Sequence, residues 1–262
     1  MAQSTEMLRL CLHSEMYKGS LILINRENPV RMKEAAMNLV KADGGHIHAR
    51  PELDLQFEQA CLEQLCLLLQ AYRSRAAVAA TGGYQSIEKQ EQIYEGIVHN
   101  YGEEYAAHHA ALPGYSEYQT GLAVDLQQME GTNQESYLFT NRDKELEFIK
   151  VAACFGFIQR YPIGKESLTD RVGNPSHFRY VGQPHASVMV RYSLCLEEYL
   201  AFLQTYTFRN PLYVKEGSVF AAVYYVKASR EMPVTSVPIA LGASYEMSGN
   251  NRDGYIITVF NP

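Results

Sequence analysis

The chain has 262 residues, of which 47% are hydrophobic and 20% charged, with 29 acidic side chains against 23 basic ones. Those are ordinary globular values, with room for one sizeable domain and a small second one. A net charge of −6 and the lack of any Lys/Arg run exclude the basic footprint that nucleic acids demand, so no nucleic-acid partner is expected. The five cysteines (Cys11, Cys61, Cys66, Cys154 and Cys195) form no CxxC or Cys/His ligand spacing. Cys61, Cys66 and Cys154 fall in apolar runs and read as small buried hydrophobes. Met1 to Glu6 has neither the basic start nor the apolar stretch of a leader. No segment reaches the roughly 18 apolar residues of a membrane span, so no integral membrane segment is expected and the localisation is left unassigned.

In chain order, Leu21-Ile22-Leu23-Ile24-Asn25 reads as a short buried strand ended by the turn-like Arg26-Glu27-Asn28-Pro29. From Pro51 to Arg75 the residues Leu55, Ala60, Leu62, Leu65, Leu69 and Tyr72 recur at helical spacing. Val78-Ala79-Ala80-Thr81 is the next strand, and Ile87 to Tyr105 the helix after it. Beyond the Pro113-Gly114 turn, Leu122 to Leu126 is a strand, and Lys144 to Phe155 is a helix. Phe157 to Tyr161 and His177 to Val181 add strands, and Cys195 to Tyr206 makes a further helix. After Tyr206 the pattern turns to β: Val219 to Val226 and Tyr255 to Val259 are strand-like, with Gly249 to Gly254 as a tight connection. A β module of about fifty residues is marginal alone.

Two stretches carry the chemistry. The first is Ser116-Glu117-Tyr118-Gln119-Thr120-Gly121-Leu122-Ala123-Val124-Asp125, and the second is Asn174-Pro175-Ser176-His177-Phe178-Arg179-Tyr180-Val181-Gly182. With Gly82-Gly83-Tyr84-Gln85-Ser86, Gln90 and Phe157-Ile158-Gln159-Arg160-Tyr161-Pro162-Ile163-Gly164-Lys165, they resemble the VanY-type D-alanyl-D-alanine carboxypeptidases. Those are zinc metallopeptidases that trim peptidoglycan stem peptides. In that family the first motif reads Ser-x-His-x-x-Gly-x-Ala-x-Asp, and its His and Asp bind zinc. The second reads Glu-x-x-His, with Glu as general base and His as third ligand. The resemblance covers roughly Gly19 to Tyr206. It implies an α+β fold, a mainly antiparallel sheet flanked by helices, over residues 1–206; beyond it, the strand-like runs make residues 207–262 a small C-terminal β module.

The resemblance also shows where the chain departs from the family. Asp125 and His177 stand at ligand positions, but Tyr118 replaces the first His and Asn174 replaces the Glu. Gln85 replaces the Arg that holds the substrate's terminal carboxylate, and Ser176 replaces a Trp. A neutral phenol, with a pKa near 10, is a poor zinc donor beside imidazole. An amide cannot take a proton, which removes a step commonly worth about 10²–10⁴-fold. No cofactor is therefore expected; the alternative is zinc held by Asp125, His177 and a replacement ligand from His108, His109 or His185. Without metal, Asp125, His177 and Tyr118 are expected to hydrogen-bond one another. The cleft would be formed by Tyr84, Gln85, Ser86, Gln90, Ser116, Tyr118 and Ser176. Glu117, one residue from Tyr118, is expected by strand alternation to face the other way. Arg160, Lys165 and Arg179 are expected at the surface or a sheet edge. The function implied is non-catalytic binding of a peptidoglycan-like peptide or a protein partner, as the hedgehog signalling domain binds on a similar fold. The alternative is a residual zinc carboxypeptidase.

Overall fold

Glu58 sets the start of the first long helix, because its carboxylate accepts the backbone N–H groups of Ala60 and Cys61, donors that a helix start leaves without partners. Cys61, Leu65, Leu68, Leu69 and Tyr72 then form the buried stripe that turns one face to the core. The computed structural model describes residues 6–42, 53–73, 77–130, 134–136 and 142–262. The helix expected over Pro51 to Arg75 begins only at Gln59, after a short strand at Gln56–Glu58; its expected first and last residues lie outside the described residues.

The first strands are β1 (Glu6–Leu12), β2 (Leu39–Lys41), β3 (Gln56–Glu58) and β4 (Val78–Gly82). They are followed by β5 (Ala123–Glu130), β6 (Gln134–Ser136), β7 (Phe157–Tyr161) and β8 (Asn174–Tyr180). The last are β9 (Leu212–Glu216), β10 (Val219–Lys227), β11 (Val234–Ala240), β12 (Ser244–Gly249) and β13 (Gly254–Phe260). The helices are α1 (Gln59–Tyr72), α2 (Ile87–Tyr101), α3 (Glu103–His109) and α4 (Arg142–Ala153), then α5 (Glu166–Thr169), α6 (His185–Tyr192) and α7 (Leu196–Leu203). The chain forms two compact units, Ile24–Cys195 and Met1–Leu23 together with Leu196–Pro262.

In the larger unit an antiparallel sheet runs β4-β5-β8-β7, with β6 beside β5, while β2 and β3 pair separately. Its core joins α1 and α4 to the sheet through Leu65, Leu68, Phe148, Phe157 and Phe178. Phe148 meets Tyr72 edge-on at 4.9 Å and Phe178 at 5.3 Å, so aromatic packing locks α4 between α1 and β8. The single helix expected over Ile87 to Tyr105 is two, because Gly102 adopts φ 87 and breaks it. The α6 helix was not anticipated from the pattern. Of the three cysteines expected inside, Cys61 is buried and Cys66 half-buried, but Cys154 is exposed just beyond the end of α4.

The smaller unit pairs β1 with β11 and sets out a second sheet in the order β12-β13-β10-β9. Cys11, Met16, Tyr224, Val237, Ile239, Tyr255 and Ile257 make its core. Its boundary differs from residue 207: the N-terminal strand and α7 belong with the C-terminal strands. Nor do Leu21 to Leu23 form the expected strand. They are buried, but Leu21 N–H donates to Ser248 Oγ at 2.9 Å and Leu23 N–H to the Asn250 carbonyl at 3.2 Å. Asn251 Nδ2 donates to the Leu23 carbonyl at 2.9 Å, so side chains and a turn replace a ladder.

Gly249 is the tightest point in this unit: any Cβ there would fall inside the Met16 backbone. Gly249→Ala should destabilise the chain by about 2–3 kcal/mol, as overpacking does. Gly96→Ala, in the middle of α2 with open space around it, should instead gain up to about 1 kcal/mol from helix propensity. Urea unfolding of both variants checks this, and a Gly249→Ala midpoint no lower than that of Gly96→Ala would refute it.

Candidate functional site

The register of three strands places Gly82, Asp125 and His177 in one row, since β5 pairs Asp125 with Gly82 of β4 and with His177 of β8. The row closes up because Gly82 lacks a Cβ, which would sit 2.5 Å from Asp125 Oδ2. Just before β5, Glu117–Thr120 is one turn of 3₁₀ helix. Gln119 Oε1 accepts the N–H groups of Gly114 and Ser116 at 2.8 and 3.3 Å, and Thr120 Oγ1 donates to the Glu117 carbonyl at 2.6 Å. Gly121 ends the turn at φ 69, where a Cβ would press on the Glu58 backbone nitrogen at 2.9 Å.

That turn swings Tyr118 over the row. Its hydroxyl donates to Asp125, with both carboxylate oxygens at 2.7 Å. His177 Nδ1 lies 3.0 Å from the same hydroxyl and 3.1 Å from Asp125 Oδ1. An ionised carboxylate only accepts, and the phenol's one proton is directed at it, so Nδ1 carries the proton that completes the set. Burial, and then the neighbouring Asp125 charge, push the Tyr118 phenol well above its ordinary range, so it stays protonated at neutral pH.

Beneath this set lies a buried charge cluster. Glu117 does not face away; in a 3₁₀ turn successive residues advance by about a third of a circle, and strand alternation does not apply. Arg160 Nε donates to Glu117 Oε1 at 2.7 Å, and Arg179 Nη1 is 2.9 Å from the same oxygen. Neither arginine is at the surface; both are fully buried. Burial would raise the Glu117 carboxyl, but the two guanidiniums hold it far below its usual range. Its other oxygen lies 3.7 Å from His177 Nε2. Burial would lower His177, but the Asp125 and Glu117 carboxylates outweigh it and raise the imidazole above its ordinary value. The signal for this cluster was an Arg inside each of two apolar strands and a Glu inside a tight motif.

A cleft of about 220 Å³ opens beside His177, bounded by Ser116, Tyr118, Asn174 and His177 among the expected residues, and by His108 and His109. Tyr161, stacked on His177 at 5.1 Å, and Arg171 also line it and were not anticipated. Tyr84, Gln85, Ser86, Gln90 and Ser176 do not line this cleft. Ser86 caps α2 by accepting the Lys89 N–H at 3.2 Å, and buried Gln90 donates to the Ala111 carbonyl at 2.7 Å. The Gln85 backbone N–H reaches the Tyr118 carbonyl at 3.3 Å, and Tyr84 is pushed up to about 12 by burial and a hydrogen bond to Glu34. The Ser176 N–H donates to Asn174 Oδ1 at 3.0 Å. His185 lies in α6, buried and lowered to about 3, away from the cleft.

The family model described as VanY, D-alanyl-D-alanine carboxypeptidase, matches residues 54–183. The bifunctional D-Ala-D-Ala dipeptidase and D-Ala-D-Ala carboxypeptidase VanXYC of Enterococcus gallinarum is 30% identical over 71% of this chain and 95% of its own length. The chain belongs to the VanY carboxypeptidase family. A D-alanyl-D-alanine carboxypeptidase of Enterococcus faecium is 29% identical over 94% of this chain and 77% of that protein. Among solved structures, the vancomycin resistance D,D-dipeptidase VanXYg, in complex with a D-Ala-D-Ala phosphinate analog, matches with TM-score 0.86 and 30% identity. That match covers 98% of this chain and 99% of VanXYg. The α+β fold expected from the motifs is the one these VanY relatives share.

Removing the Glu117 charge should be costly, because Arg160 and Arg179 would stay buried without their anion. Glu117→Gln is expected to lose about 3–5 kcal/mol of stability at pH 7. The sign with pH follows from the depressed carboxyl: its contribution is complete above its ordinary value of 4.5 and fades as pH falls. Urea titrations across that range should show the wild type and Glu117→Gln converging in acid. Equal stability at pH 7 would refute the role.

Proposed function

We propose that this chain is a non-catalytic member of the VanY family that binds a peptidoglycan-like peptide or a protein partner in the cleft beside His177. The observation that carries this is the Tyr118 phenol, hydrogen-bonded to both Asp125 oxygens where the family has a zinc-binding His. A catalytic zinc takes three protein donors and keeps one open position. Here the three positions hold a carboxylate, an imidazole and a phenol kept protonated by its surroundings. Among the described residues, no group of three His, Cys, Asp or Glu side chains is arranged to hold a metal ion. That donor set does not fit a catalytic zinc, and no hydrolytic step is assigned to it.

Asn174 adds to this. It stands at the general-base position, its Oδ1 already accepts the Ser176 N–H, and an amide has no basic site for a water proton. Gln85 keeps hydrogen-bonding capacity but not the charge of the family's Arg. The ligand class follows from the family's name and from VanXYg, which was solved with a D-Ala-D-Ala phosphinate analog. A second reading, a residual zinc peptidase, is favoured by one observation: His108 and His109 line the same cleft as His177 and could supply a replacement donor.

Metal analysis and a D-alanine release assay separate the two. The purified wild type should carry well under one zinc per chain and release no D-alanine from a pentapeptide ending in D-Ala-D-Ala. Tyr118→His should recover zinc with little turnover; adding Asn174→Glu and Gln85→Arg should give measurable hydrolysis. A wild type that holds stoichiometric zinc and cleaves as fast as the triple variant would overturn the proposal in favour of the second reading.

A further inference from the structure

The cleft beside His177 has a charge pattern that the residue substitutions do not explain. Glu117 is the one carboxylate lining it among the described residues, and its charge is met by Arg160 and Arg179. Asp125 is covered by Tyr118 and His177. Asp170, next in sequence to Arg171, pairs with Arg26 at 3.0 Å. Among the described residues, Arg171 therefore meets the cleft with no acid set against it. Its Nη1 donates to the Ala110 carbonyl at 2.6 Å, which fixes the half-buried guanidinium at the wall, and a guanidinium carries five N–H donors in all.

Other donors share that wall with Arg171. Asn174 Oδ1 is engaged by the Ser176 N–H, so its NH₂ end is the part available to a ligand. His108 and His109 add imidazole rings, each able to present an N–H donor. A fork of guanidinium N–H groups in a half-desolvated wall suits a planar carboxylate, which can accept two of them side by side. Gln85, at the family's anchor position, does not line this cleft.

We propose that the cleft takes the C-terminal carboxylate of a short peptide, and that Arg171 is the residue that holds it. This rests on the peptide-binding reading above, and it relocates the anchoring charge from the start of α2 to the segment leading into β8.

Calorimetric titration of the full chain tests it, using the pentapeptide ending in D-Ala-D-Ala and the same peptide amidated at its C-terminus. The wild type should bind the acid about 10- to 100-fold more tightly than the amide, the range of a charge-assisted pair. Arg171→Met should bring the acid down to the amide's affinity while leaving the amide unchanged; Arg171→Lys, which keeps charge without the fork, should recover part of the difference. Equal binding of acid and amide by the wild type, or discrimination that survives in a folded Arg171→Met, would overturn the anchor but leave peptide binding intact. If neither peptide binds, the peptide reading fails. The anchor is then judged on N-acetyl-D-alanine against its amide, by NMR titration of wild type and both variants. Acid-selective, Arg171-dependent shifts would sustain it, and their absence would end it.

Discussion

One buried carboxylate, Glu117, organises the site. Burying an ion costs several kcal/mol, and the cost is offset only when charged partners meet it with good geometry. Arg160 on β7 and Arg179 on β8 supply those partners, so the turn that carries Glu117 is tied to two strands of the sheet. Because Glu117 is anchored below, the next residue, Tyr118, is placed above, and its hydroxyl arrives between Asp125 and His177. The same carboxylate sits under the far side of the His177 ring, so the imidazole is held between two anions.

Framework and chemistry are separable in this molecule. The row of Gly82, Asp125 and His177 depends on strand register and on a missing Cβ. Tyr118 offers one donor and one acceptor, enough to satisfy the facing carboxylate and imidazole as a neutral group. Positions at the opening are under weaker constraint: Asn174 is exposed and Arg171 half-buried, so their side chains can change without disturbing the sheet.

The smaller unit makes a related point about chain ends. Glu6–Leu12 pairs with Val234–Ala240, and the Tyr255 hydroxyl donates to the Leu12 carbonyl at 2.9 Å. The likeness to VanXYg spans 98% of this chain, so both units have counterparts in that structure. Leu8, Leu10 and Leu12 alternate along β1 with their side chains exposed, which hid the strand from any search for a buried face.

By itself, the sequence determined the family, the order of the main strands and helices, and which residues stand at each position of the two motifs. Those follow from local spacing: helical and strand periods, turn residues, and motif intervals that survive substitution. Only the tertiary structure decided where Glu117, Arg160 and Arg179 go, that Ser86 and Gln90 serve a cap and a carbonyl, and that Arg171 and Tyr161 reach the cleft. Leu21 to Leu23 show the same limit, apolar and buried yet bonded to a turn at the other end of the chain. The reason is common to all of them: each role depends on a partner far away in sequence, and no local period records which distant group a side chain will meet.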